Sequence, residues 1–282
     1  MYKSNRHATL SRLRRRADLA CLFAIFVSGT FVSGTALAQT STLASWDAPP
    51  RSSITTAPDG GQTDSVMQRL SQSLSPEMRD GFNLFLYVDK AGDGPFAQQM
   101  YVFQKSADGG LVMLYDWPVS TGREAVEIDP HGRQESSVTP RGYFELDPKR
   151  LYVDHSSSQW DEAMPYAMFF SWKPDGQHET GLAIHGTPEE NVGALGSRAS
   201  AGCIRLSIEN ARLLFDMVQT GYKGPTPEIA YLDGDSPVSS EGLLLHDAQG
   251  QLELADGYSV LVVVDDFAGD SRMSALTATP GS

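Results

Sequence analysis

Cysteine is nearly absent from this chain. Of two cysteines in 282 residues, Cys21 lies in an N-terminal stretch with the layout of a cleaved leader, so the body retains Cys203 alone and closes no internal disulfide. A lone thiol in an oxidising compartment marks either a reactive group or a small buried hydrophobe. Positive charge is scarce too: 22 basic residues face 35 acidic ones, and removing residues 1–38 takes away six basic and one acidic residue, leaving 16 against 34 and a net charge of −18. So acidic a surface excludes non-specific tracking of nucleic acid or anionic lipid. After residue 38 no apolar run approaches the roughly 20 residues that span a bilayer. Metal-ligand spacing is missing as well, since one cysteine and histidines at 131, 155, 178 and 246 match no recognised pattern. There is no internal repeat.

What is present begins with that leader. Lys3, Arg6, Arg12 and Arg14 to Arg16 precede an apolar run from Leu19 to Leu37, and Ala36-Leu37-Ala38 ends it. The basic, apolar and small-residue order predicts a secretory signal over 1–38, cleaved after Ala38, with an uncleaved anchor as the alternative. A periplasmic location is therefore expected. Residues 39–75 mix Ser, Thr, Pro, Gly and Gln and read as a tether, within which Val66 to Leu74 has the makings of a short helix.

The body reads as mainly β, in the α+β class. Short apolar or alternating runs follow one another at Phe82–Val88, Met100–Gln104, Leu111–Val119, Tyr143–Leu146, Tyr166–Trp172 and Gly181–His185, separated by turn formers such as Asp-Gly-Gly and Pro-Asp-Gly. One segment has helical spacing instead. Ser207 is a capping residue for a helix from Ile208 to about Tyr222, with Ile208, Ala211, Leu214, Phe215 and Val218 on one face. Gly242–His246 and Tyr258–Val264 predict a C-terminal strand pair within 236–267, and the small, polar stretch 268–282 reads as a disordered tail.

The chemistry concentrates around two residues 18 positions apart. His185 ends the apolar run Leu182-Ala183-Ile184, and Cys203 sits in Ser200-Ala201-Gly202-Cys203-Ile204-Arg205-Leu206. A thiol attacks only as thiolate, so it needs a proton acceptor or a positive field nearby. His185 at the end of a strand is placed to serve as that base, although a histidine taken alone reads more readily as a satisfied core residue. Gly202 permits a tight turn and a close approach of substrate to backbone amides that would hold an oxyanion. If 203–206 are extended, Cys203 and Arg205 share one side while Ile204 and Leu206 face the core. Arg205 then either promotes the thiolate and binds a substrate carboxylate, or forms a structural pair with an acidic neighbour.

His185-Gly186-Thr187, the Ser200-x-Gly202-Cys203-Ile204-Arg205-Leu206 run and the helix after it resemble the signature of the L,D-transpeptidase catalytic-domain family of YkuD type, bacterial enzymes that cross-link peptidoglycan. Pro118-Val119-Ser120-Thr121-Gly122-Arg123 and Thr139-Pro140-Arg141-Gly142-Tyr143-Phe144 are similar to that family's paired motif strands. The resemblance covers roughly 82–235 and places a catalytic domain at 76–235. It implies a β-sandwich or barrel with a short helix after the cysteine motif, Cys203 as nucleophile and His185 as base. It further implies that the Gly186 backbone orients the imidazole, and that Thr187, Ser200 and Arg205 line the acyl-binding site. Ala201 stands where many members carry a second histidine.

The activity implied is acyl transfer from an L→D bond of a peptidoglycan stem peptide to an amine of a neighbouring stem, without cofactor, giving 3-3 or 1-3 cross-links. The alternatives are use of water as acceptor, by a carboxypeptidase or by an amidase that detaches lipoprotein, and a non-catalytic wall-binding module. Carbapenems are the acylating inhibitors to expect.

Overall fold

The computed structural model describes residues 60–174, 178–230 and 239–267. The leader, most of the expected tether and the 268–282 tail lie outside the described residues.

Two helices open the domain, α1 (Gly60–Ser73) and α2 (Pro76–Gly81), the second capped by the Ser75 hydroxyl on the Met78 amide. The strands follow in chain order. β1 (Leu84–Asp89), β2 (Gln99–Lys105) and β3 (Leu111–Pro118) form a meander. Next come a small hairpin, β4 (Val126–Ile128) with β5 (Gln134–Ser136), the long β6 (Arg141–Tyr152), and a second hairpin, β7 (Ser156–Ser157) with β8 (Glu162–Ala163). β9 (Ala167–Phe170), β10 (Ala183–Gly186) and β11 (Ile204–Leu206) lead into α3 (Ile208–Gly221). Last are β12 (Lys223–Pro227), β13 (Ile229–Ala230), β14 (Ser239–Ser240), β15 (Leu243–Leu244), β16 (Leu254–Tyr258) and β17 (Val260–Asp265). Every strand read from the sequence between Phe82 and His185 is found, as is the helix after Cys203.

One sheet organises these pieces, in the order β11-β10-β9-β6-β17-β1-β2-β3, with β14 alongside β6. Its two ends meet: just past β3, Ser120 bridges to Arg205 in β11, so the sheet curls almost into a barrel. Both faces of its centre are covered. Leu84, Leu86 and Val88 pack with Leu214 and Val218 of α3, whereas Phe85 and Tyr87 pack with Val66 and Leu70 of α1. Burial on both faces is why β1 and β17 read as continuous apolar runs without alternation. The fold is thus mainly β, as expected.

Two boundaries are corrected. The tether read over 39–75 ends before α1, because Val66 and Leu70 are fully buried against the sheet and Tyr143 Oη donates to the Ser73 carbonyl at 2.6 Å. Burying two such side chains contributes on the order of 1.5–3 kcal/mol each, enough to dock the short helix expected within that segment. The expected C-terminal strand pair does not form either. β15 pairs with β13, β16 pairs with β12, and β17 inserts between β6 and β1 at the centre of the sheet. A two-stranded appendage would expose one face of Val260 to Val264; the sheet centre buries both.

Candidate active site

The site lies on the parallel pair β10 and β11, whose register sets Ile184 beside Ile204, His185 beside Arg205 and Gly186 beside Leu206. Alternation then divides the side chains. Ile184, Ile204 and Leu206 enter the core under α3. On the opposite face Cys203 packs with Met164, Ala167, Phe169 and Ala183, and His185 and Arg205 follow on the same side. The expected division of the Cys203–Leu206 segment is therefore observed.

His185 is 2% exposed, and its Nδ1 lies 2.8 Å from the Gly186 carbonyl oxygen. A carbonyl only accepts, so Nδ1 carries the proton and Nε2 is left as the proton acceptor. Burial lowers the imidazole pKa to about 4; the Gly186 hydrogen bond opposes this, and the nearby Arg205 charge adds to it. Cys203 is half-buried, with Sγ 3.6 Å from the Gly181 carbonyl oxygen. Burial raises its pKa to about 11, against the pull of the Ala183 amide and the Arg205 charge, and the Glu162 carboxylate raises it further. At neutral pH both groups are uncharged. The thiolate is therefore a minor form of the resting site.

The cysteine loop is lashed down by both upstream motif segments. Ser120 and Arg205 exchange main-chain hydrogen bonds of 3.1 and 2.9 Å, the Ser200 amide donates to the Thr121 carbonyl at 2.9 Å, and the Arg123 amide donates to the Ser200 carbonyl at 3.0 Å. Thr139 Oγ1 accepts from the Gly122 amide at 2.8 Å and donates to the Gly202 carbonyl at 2.7 Å, joining three motifs through one hydroxyl. Gly122 must be glycine here, since a Cβ would sit 2.0 Å from the Ser137 carbonyl oxygen.

The remaining expected site residues are distributed differently. Ser200 is fully buried, and its hydroxyl donates to the Cys203 carbonyl at 2.5 Å and accepts from the Gly202 amide at 3.1 Å. It braces the turn, and with φ of +115° at Gly202 the amide expected at an oxyanion points into that brace. Arg205 is 8% exposed and pairs with Glu162 of β8, so the structural ion pair is present; its Nη1 also donates to the Ala199 carbonyl at 3.3 Å. Thr187 is buried with no hydrogen-bond partner for Oγ1, and Arg205 Nε is likewise unpartnered. No sequence signal marks Glu162, which belongs to no motif and lies 43 residues from Arg205.

Among the described residues no group of three or more His, Cys, Asp or Glu is arranged to hold a metal ion.

Residues 95–230 match the family model of the YkuD L,D-transpeptidase catalytic domain, which bears out the resemblance carried by the motifs. No curated protein matches the chain. Among solved structures, similarity extends to an L,D-transpeptidase from Xylanimonas cellulosilytica, with 19% identity over 72% of this chain and 69% of that one and a TM-score of 0.35. The helical cell shape determining protein Pgp2 from Campylobacter jejuni shares 17% identity over 70% of this chain and 54% of its own, with a TM-score of 0.36. L,D-transpeptidase 3 from Mycobacterium tuberculosis, in complex with a faropenem-derived adduct, shares 17% over 66% and 61%, with a TM-score of 0.32. The chain thus spans less than two thirds of the latter two.

Proposed function

We propose that the protein is an exported cysteine L,D-transpeptidase that joins peptidoglycan stem peptides through a thioester on Cys203. The observation that carries this reading is the His185 ring, fixed by the Gly186 carbonyl so that its only free nitrogen is the basic one, on the strand beside the cysteine turn. A core histidine needs no such polarity next to a half-buried thiol.

The steps follow from that arrangement. The Cys203 sulfur attacks the L-residue carbonyl as its proton passes to Nε2 of His185; the proton then goes to the departing D-residue amine, leaving a thioester. An acceptor amine attacks the thioester carbonyl, gives its proton to Nε2, and the proton returns to sulfur as the new amide forms. No outside energy source is required, because one amide is broken for the one made. β-Lactams of the penem and carbapenem classes would acylate the same sulfur.

Intact mass after incubation with a tetrapeptide donor tests the nucleophile: the wild type gains the acyl mass and Cys203→Ser does not. Acyl-enzyme at wild-type levels in that variant would overturn the assignment. Product analysis separates the acceptors, a cross-linked dimer for transfer and a free tripeptide for hydrolysis. Muropeptides from cells with and without the protein identify the bond made.

A further inference from the structure

We propose that the cleft between α1 and the start of β6 is a second ligand site, which takes the free carboxylate end of a peptide. The site is independent of the acyl-transfer reading, since none of its lining residues is Cys203, His185 or Arg205.

The cleft measures about 310 Å³ and is lined by Arg69 and Ser73 of α1, Arg141 and Tyr143 of β6, Ser240 of β14 and Asp265 of β17. That is the lower end of the roughly 300–1,000 Å³ of small-molecule sites, room for a group of amino-acid size and more than a bare ion needs.

Asp265 stands between the two guanidiniums, and its own capacity is filled. Its Oδ2 accepts from Arg69 Nε at 2.8 Å and from Tyr87 Oη at 3.0 Å, while Oδ1 accepts from Arg141 Nη2 at 3.0 Å and from the Asp266 amide at 2.8 Å. Those bonds occupy the roughly four lone-pair positions of a carboxylate. Burial pushes its pKa up, but the Arg69 and Asp266 hydrogen bonds outweigh this and hold it below the usual carboxylate range, so it is ionised at neutral pH.

The arginines are not filled. Among the described residues Arg69 donates through Nε alone and Arg141 through Nη2 alone, which leaves Arg69 both terminal nitrogens of its fork. Their side chains are 42% and 54% exposed, so a ligand can reach them. Two fixed positive charges against one negative leave one unbalanced, in a chain whose net charge is −13. Ser240 adds a second sign of an unfilled site: the residue is more than nine-tenths buried, it lines the cleft, and its Oγ has no hydrogen-bond partner. A structural ion pair with Asp265 would need only one of these arginines. What remains over is one positive charge, planar N–H edges and a hydroxyl, the complement of a single planar carboxylate.

Calorimetric titration of the full protein at pH 7.5 tests this with N-acetylglycine, its amide and inorganic phosphate as probes. N-acetylglycine should bind saturably and the amide should not; equal binding of the two overturns the proposal. Phosphate should bind more weakly than N-acetylglycine, and equal or tighter binding overturns the assignment to a carboxylate. Arg141→Gln, which leaves Asp265 its Arg69 partner, should weaken N-acetylglycine about tenfold, the usual worth of a charged hydrogen bond. Arg141→Lys keeps the charge and loses the fork; it should weaken the same probe several-fold and carries the test if the glutamine variant does not fold. Wild-type affinity in either folded variant overturns the site. Prior alkylation of Cys203 with iodoacetamide should leave the affinity unchanged, whereas its loss would put the probe at the cysteine and overturn the proposal. If Cys203 proves inert while Arg141→Gln still abolishes binding, the acyl-transfer reading fails and this site stands.

Discussion

Ser120 and Arg205 exchange both main-chain hydrogen bonds, at 3.1 and 2.9 Å, across the seam where the two ends of the sheet meet. The cysteine turn is thereby part of the closure of the barrel. Cys203 lies two residues from that seam, so its position is fixed by the completed sheet and not by a surface loop. Burial pushes both the Cys203 thiol and the His185 imidazole towards their neutral forms.

The pH behaviour of the thiol should reflect that neutrality. With Cys203 raised to about 11 and His185 lowered to about 4, both by burial, alkylation by iodoacetamide should be slow at pH 7 and keep climbing from pH 9 to about 11. A preformed thiolate–imidazolium pair would instead give a plateau through neutrality. Rates of Cys203 modification from pH 5 to 11, followed by mass, distinguish the two.

The same His185 shift affects stability. Its folded pKa is depressed, so between about 6.5 and 4 the unfolded chain takes up a proton that the folded one refuses, and stability falls as the pH falls through that window. His185→Gln, which cannot take up that proton, should lose less stability than wild type between pH 7 and pH 4.5 in urea melts. Acyl transfer in this variant should fall on the order of 10²-fold or more for want of the base.

Thr139→Val tests the hydroxyl that joins the motifs. The volume is kept, but the Gly122 amide and Gly202 carbonyl lose their common partner in a buried setting, a loss of about 1–3 kcal/mol. Turnover should drop further than the folded fraction, because the displaced carbonyl belongs to the residue before Cys203. Denaturant melts with activity measured per folded molecule check both.

Asp89 offers a stabilising substitution. Burial raises its carboxyl pKa to about 7, and its Oδ2 is buried without a partner. A raised carboxyl pKa favours the fold below pH 4, an advantage lost as the pH climbs to about 7. Asp89→Asn should therefore gain on the order of 1 kcal/mol at pH 8 and nothing at pH 3.5. Melting temperatures at the two values decide it.

Leu70→Ala probes the N-terminal boundary. Leu70 is fully buried between α1 and the sheet, so truncation should cost about 2–5 kcal/mol if α1 belongs to the domain, and almost nothing if residues before 76 are a tether. One urea melt gives the answer.

Much of this molecule follows from local sequence. The alternating runs from Phe82 to His185 are strands because their side chains alternate sides, and Ser207 starts α3 because its hydroxyl accepts from the Asn210 amide, as a capping serine does. The split of Cys203 and Arg205 from Ile204 and Leu206 is likewise a matter of period two. These features depend on residues a few positions apart.

What depended on distant partners was decided only by the tertiary structure. Val260 to Val264 are apolar on both faces, which signals burial without saying between which strands; the centre of the sheet is the place that buries both. The helix at Val66 to Leu74 was legible as a helix but not as part of the domain, and it docks because Val66 and Leu70 find a sheet face formed by strands later in the chain. Ser200 and the Gly202 amide, expected to face a ligand, hydrogen-bond to each other instead. Glu162 had no signal at all. Sequence fixes which side of its own strand a charge occupies, while its partner is set by the pairing of strands far apart in the chain, and so Arg205 was legible and the carboxylate that holds it was not.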